Sequence, residues 1–60
     1  MKKVEDLKQK FHVLWSVLDE RARRITAATE ALSFGYGGVS SVSRASGLSR
    51  QTITQGIREI

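Results

Sequence analysis

Val4, Leu7, Phe11, Leu14, Leu18, Ala22, Ile25, Thr29 and Leu32 recur at spacings of 3, 4, 3, 4, 4, 3, 4 and 3. That period keeps one stripe on one face of a helix, while Lys and Glu fill the other. The extra step of four across Leu14, Leu18 and Ala22 breaks the heptad pattern. At the same point Ser16-Val17-Leu18-Asp19 fits a Ser-x-x-Asp variant of the capping box, and Asp19 is itself a candidate N-cap. The pattern therefore predicts two helices, 3–15 and 18–33, over one continuous rod. A rod would imply a dimeric coiled coil with a stutter.

Phe34-Gly35-Tyr36-Gly37-Gly38 ends the second helix, and Gly35 suits a left-handed position after its C-terminus. From Ser33 to Ser49, six serines and four glycines fill 17 positions, a composition shared with flexible linkers. Val39, Val42 and Ala45 nevertheless return every third residue, which a linker has no reason to do. A short third helix is expected at 39–46.

Gly47 then marks a sharp turn, since glycine accepts positive φ without steric cost. Leu48 can point back into the angle between the flanking helices, and Ser49 is a good N-cap for a last helix at 49–60. Ile53, Ile57 and Ile60 form its expected buried stripe. Gln51, Thr54, Gln55 and Arg58 occupy the opposite face, with Arg50 on the flank. The expected fold class is all-α: residues 1–60 as a small four-helix domain with a C-terminal helix-turn-helix.

Composition narrows the function. Sixty residues bury a small share of their surface, and most multi-step enzymes need more chain. The chain has no cysteine, so disulfides and thiolate metal sites are excluded, and His12 is its single histidine. No metal and no cofactor is expected. No apolar run approaches the roughly 20 residues of a membrane span, and no signal peptide is visible after Met1-Lys2-Lys3. The expectation is a cytoplasmic protein without membrane or small-molecule partners.

Ten Lys and Arg against six Asp and Glu leave a net charge of +4. Residues 1–30 hold seven bases and five acids, whereas 31–60 hold Arg44, Arg50 and Arg58 against Glu59 alone. A surface without acids admits an anionic polymer without like-charge repulsion. The polar face of the last helix fits that partner. Arg donates two parallel hydrogen bonds to guanine O6 and N7, and Gln pairs with adenine N6 and N7. Thr54 suits a thymine methyl or a phosphate oxygen, and the helix N-terminus at Ser49 and Arg50 offers free N–H groups to phosphate.

Double-stranded DNA is thus the expected partner, the protein being nucleoid-associated when bound. Arg50, Gln51, Thr54, Gln55 and Arg58 are the candidate base contacts. Ser49, Arg44, Arg21, Arg23 and Arg24 are the candidate backbone contacts. The arginines at 21, 23 and 24 can equally pair on a solvated face, Arg24 with Glu20 four residues earlier.

Other constellations carry less. Glu5-Asp6 and Asp19-Glu20 are adjacent carboxylates that diverge on a helix and cannot share a metal or a proton. They sit near helix starts, where negative charge complements the dipole. Gly35-x-Gly-Gly follows a helix, not the strand that a phosphate loop requires. Phe11 and Trp15 are expected core anchors.

The run Leu18-Asp19-Glu20-Arg21-Ala22-Arg23-Arg24, then Ala27-Ala28-Thr29-Glu30-Ala31, Gly35-Tyr36-Gly37-Gly38-Val39 and Gly47-Leu48-Ser49-Arg50-Gln51-Thr52-Ile53, with Gly56 and Glu59, resembles the N-terminus of the Rhodopirellula-type insertion-sequence transposases. The resemblance covers about residues 4–60 and is most specific in its LDER-x-RR and GYGG segments. It implies a DNA-binding module that recognises element ends, followed by a DDE catalytic domain of RNase H-like fold. The chain stops at Ile60, before any such domain, so no catalysis is expected of it. Ser43 and Ser46 depart from the small or apolar residues frequent at their positions in helix-turn-helix proteins. Two other functions stay open: a free-standing helix-turn-helix regulator acting as a symmetric homo-dimer, and an interaction module using residues 4–32 without DNA.

Overall fold

Residues 4–60, which the computed structural model describes, form four α-helices: α1 (Val4–Trp15), α2 (Glu20–Phe34), α3 (Gly38–Ser46) and α4 (Arg50–Glu59). The described residues contain no strand. Lys3, expected in the first helix, lies outside the described residues, as does the Met1-Lys2-Lys3 start.

The chain breaks into two helices at Asp19. Its Oδ1 accepts the Ala22 N–H at 2.8 Å, and its φ and ψ of −78° and 177° are extended. Such a cap is worth about 1 kcal/mol. The second helix therefore starts at Glu20, not at residue 18, because Asp19 and not Ser16 supplies the cap. Upstream, the N–H groups of Val17 and Leu18 return to the Leu14 carbonyl at 3.0 and 3.1 Å and close off α1. Gly35 then ends α2 with φ of 81° and donates its N–H to the carbonyls of Ala31 and Leu32, although its ψ of −139° lies outside the left-handed helical basin.

Leu7 and Phe11 of α1, Ala27 and Ala31 of α2, Val42 of α3 and Ile53 of α4 form the buried core. Trp15, Phe34, Val39, Ala45, Leu48 and Ile57 pack around it half-buried. Phe11 and Trp15 stack with ring centroids 4.6 Å apart and planes tilted by 56°, within the range of favourable aromatic pairs.

The buried face of α2 differs from the expected stripe. Ala27, Ala28, Glu30 and Ala31 point inward, whereas Thr29 is exposed and Leu32 is 55% exposed. The reason is close approach. A Cβ added at Gly56 of α4 would lie 2.8 Å from the Arg24 carbonyl oxygen, and one at Gly38 only 2.1 Å from that of Ala31. Small residues let α3 and α4 settle onto the backbone of α2, so the helix turns its alanines, not its larger apolar side chains, toward them. On α4, likewise, Ile53 is fully buried, Ile57 is half-buried and Ile60 is 57% exposed, while Gly56 takes an inward position. Glu30 remains inside, held by the Lys10 ammonium of α1.

The turn between α3 and α4 is Gly47-Leu48-Ser49. Gly47 adopts φ of 80° and ψ of −2°, and its N–H donates to the Ser43 carbonyl at 3.1 Å. The Ser43 hydroxyl donates to the Leu48 carbonyl at 2.7 Å, and the Leu48 N–H donates to the Ser46 hydroxyl oxygen at 3.1 Å. The two serines thus satisfy both backbone groups of Leu48 while its side chain packs on the core. No helix among the described residues is long and apolar enough to cross a membrane.

Candidate nucleic-acid interface

The outward face of α4 is set by what the inward face buries. With Ile53 and Gly56 inside, the 3.6-residue period leaves Arg50, Gln51, Gln55 and Arg58 exposed and Thr54 half-buried. The helix begins with a cap: the Ser49 hydroxyl oxygen accepts the Thr52 N–H at 3.1 Å, and the same hydroxyl donates to Thr52 Oγ1 at 2.9 Å.

A shallow groove runs between the first turns of α2 and the outward side of α4. Gln51, Thr54, Gln55 and Arg58 line it together with Glu20 and Arg24. Four of the five candidate base contacts therefore share one surface with a candidate backbone contact. Arg50 is exposed at the start of α4, outside that groove. The sequence has no carboxylate between Glu30 and Glu59, but the fold brings Glu20 to the rim of this face. Proximity in space, not in sequence, supplies that acid.

The three arginines of α2 separate into three environments. Arg21 is exposed. Arg23 is half-buried: its guanidinium donates to the Trp15 carbonyl and lies 5.9 Å from the Trp15 ring centroid, and its Nε is buried without a hydrogen-bond partner. It fastens the end of α1 to α2. Arg24 Nε donates to Glu59 Oε1 at 2.9 Å, so Arg24 pairs across the fold and not with Glu20. Arg44 is exposed in the last turn of α3, in a second groove that it shares with Glu5, Lys8, His12 and Trp15 of α1.

Glu59 closes the outward face at its C-terminal end. Oε1 takes the Arg24 bond and Oε2 accepts from Gln55 Nε2 at 3.3 Å. The Arg24 hydrogen bond, then that from Gln55, holds the Glu59 carboxyl below the ordinary carboxylate range, with the Arg24 and Arg21 charges adding to the effect. Among the described residues, no three His, Asp or Glu side chains gather as a metal ion would require.

No protein-family model, curated protein or solved structure matches the chain. Guanidinium and carboxamide groups on one exposed helix face are the donors and acceptors that read base edges. The Arg24–Glu59 link and the Arg23–Trp15 contact were not apparent from the sequence, since their partners lie 35 and eight residues apart. One signal pointed that way: Glu59 is the lone acid of the second half, and a lone acid among bases finds a cation.

Proposed function

We propose that this chain binds double-stranded DNA through α4, as the element-end-recognising module of an insertion-sequence transposase, with no catalytic role for its own residues. The observation that carries the DNA-binding part is the exposed row Arg50, Gln51, Gln55 and Arg58 on the helix that follows the Gly47 turn. A ten-residue helix is about 15 Å long, which suits the major groove, and in helix-turn-helix proteins the N-terminal residues of the recognition helix meet base edges. Arg21 and Arg44, exposed on α2 and α3, supply cations for the phosphate backbone. The LDER-x-RR and GYGG segments support the transposase origin.

Selection from a pool of randomised duplexes tests the proposal. The domain should enrich a defined sequence, and Gln51→Ala should weaken binding to it by roughly 1–3 kcal/mol while relaxing preference at one position. A binding-site profile unchanged by Gln51→Ala would show that Gln51 reads no base. Footprinting on the selected site then addresses origin. An asymmetric footprint beside an inverted repeat supports the transposase, whereas a palindromic one indicates a dimeric regulator.

A further inference from the structure

The groups around Glu59 do more than neutralise an acid on a DNA-facing surface. A carboxylate only accepts hydrogen bonds, whereas the carboxamide of Gln55 has one accepting end and one donating end. Facing Glu59 Oε2 at 3.3 Å, that amide has one tolerable orientation: Nε2 toward Glu59, and Oε1 away from it. The flipped form would set two acceptors against each other. Glu59 is in turn held by Arg24, whose side chain is 21% exposed and whose backbone carbonyl lies against Gly56. The anchor of this chain of bonds therefore belongs to the tightly packed contact of α2 with α4.

We infer that Glu59, fixed by Arg24, is a positioning residue that holds Gln55 with its carbonyl oxygen forward, so that α4 selects at that point a base bearing an exocyclic amine on its major-groove edge. This rests on the DNA-binding proposal for α4 and specifies what one of its side chains reads. Adenine N6 and cytosine N4 are the two such amines. Adenine gains a second bond, because Nε2 keeps one proton for N7. Guanine, with O6 and N7, and thymine, with O4, present acceptors that meet Oε1 with like partial charge.

The test compares the selected sites of the wild-type chain, Gln55→Ala and Glu59→Gln, each first shown by thermal melting to be folded. In the wild type one column should favour adenine or cytosine over guanine and thymine, and Gln55→Ala should flatten that column. Glu59→Gln offers Gln55 a donor as well as an acceptor, so the amide regains both orientations. Discrimination in that column should then fall about two- to tenfold, the effect of releasing one ordered side chain, with the other columns unchanged. A purely structural role for Glu59 would instead weaken every column together.

If Gln55→Ala flattens a column that Glu59→Gln leaves intact, the positioning role is overturned and DNA binding stands. A wild-type column favouring guanine or thymine also overturns it. A wild type that enriches no sequence overturns both proposals. In the free wild-type protein, side-chain amide protons of Gln55 shifted downfield of those of Gln9 and Gln51 support the Glu59 contact, whatever the variants do. Coincident resonances overturn it.

Discussion

α1 and α4 are both fastened to the same small core, by opposite means. α1 brings bulk: Leu7 and Phe11 are buried at 1% and 2% exposure, Trp15 stacks beside them, and Lys10–Glu30 and Arg23–Trp15 tie it to α2. α4 buries one large side chain, Ile53, and otherwise lays Gly56 against the Arg24 carbonyl and Ala28. Large side chains can repack when disturbed, and two backbones in contact cannot. Of these two helices, the one proposed to read DNA has its position set by backbone contact, and a binding surface needs support of that stiffness to place its donors within about 0.5 Å.

Removing the bulk should have the largest effect. Phe11→Ala should cost about 3–5 kcal/mol, which a 60-residue domain can barely absorb, so thermal melting should show a mostly unfolded chain at 25 °C. A cooperative transition near that of the wild type would mean that α1 contributes little to the core. Gly56→Val tests the other contact. Overpacking should cost about 1–3 kcal/mol, against the backbone oxygen that a Cβ would approach to 2.8 Å. Gly56→Ala sharpens the comparison through its sign. Helix propensity alone would stabilise by about 1 kcal/mol, so a lowered melting temperature shows that close approach wins, and a raised one that α4 sits farther from α2.

Ser49→Ala should cost about 1 kcal/mol through loss of the N-cap bond to Thr52, read from chemical denaturation. The smallest effect concerns pH. Because the folded carboxyl of Glu59 titrates below its ordinary value of 4.5, its contribution is present above that value and is lost as pH falls through the lower folded one. A carboxyl-detected NMR titration should find Glu59 depressed in the wild type and returned toward 4.5 in Arg24→Ala. An equal midpoint in the two proteins would show that Arg24 does not hold it.

The same contrast marks what could be read from the residues beforehand. Bulk leaves a periodic trace, so Leu7, Phe11 and Ile53 were legible as core, as were the caps at Asp19 and Ser49 and the Gly47 turn. Close approach leaves almost none. Alanines and glycines stand out weakly on any hydrophobic stripe, and the 3–4 spacing of the stripe puts Thr29 and Leu32 inward where Ala27, Ala28 and Ala31 stand. The outward row of α4 was legible because it is local to one helix. That Glu20 and Arg24 stand beside it was not, because they come from α2 and only the fold brings them there. Ser43 and Ser46, which looked out of place in a helix-turn-helix, carry the backbone of Leu48 through the turn.

The central claim, that α4 turns its polar face to a nucleic acid, is tested most directly by the affinity of the wild-type chain for its selected duplex across a range of salt concentrations. Log K should fall linearly with log[salt], with a slope of about −0.9 for each phosphate contacted, and Arg50→Ala or Arg58→Ala should weaken binding while leaving the melting temperature unchanged. An affinity indifferent to salt, or to the loss of both arginines, would contradict it.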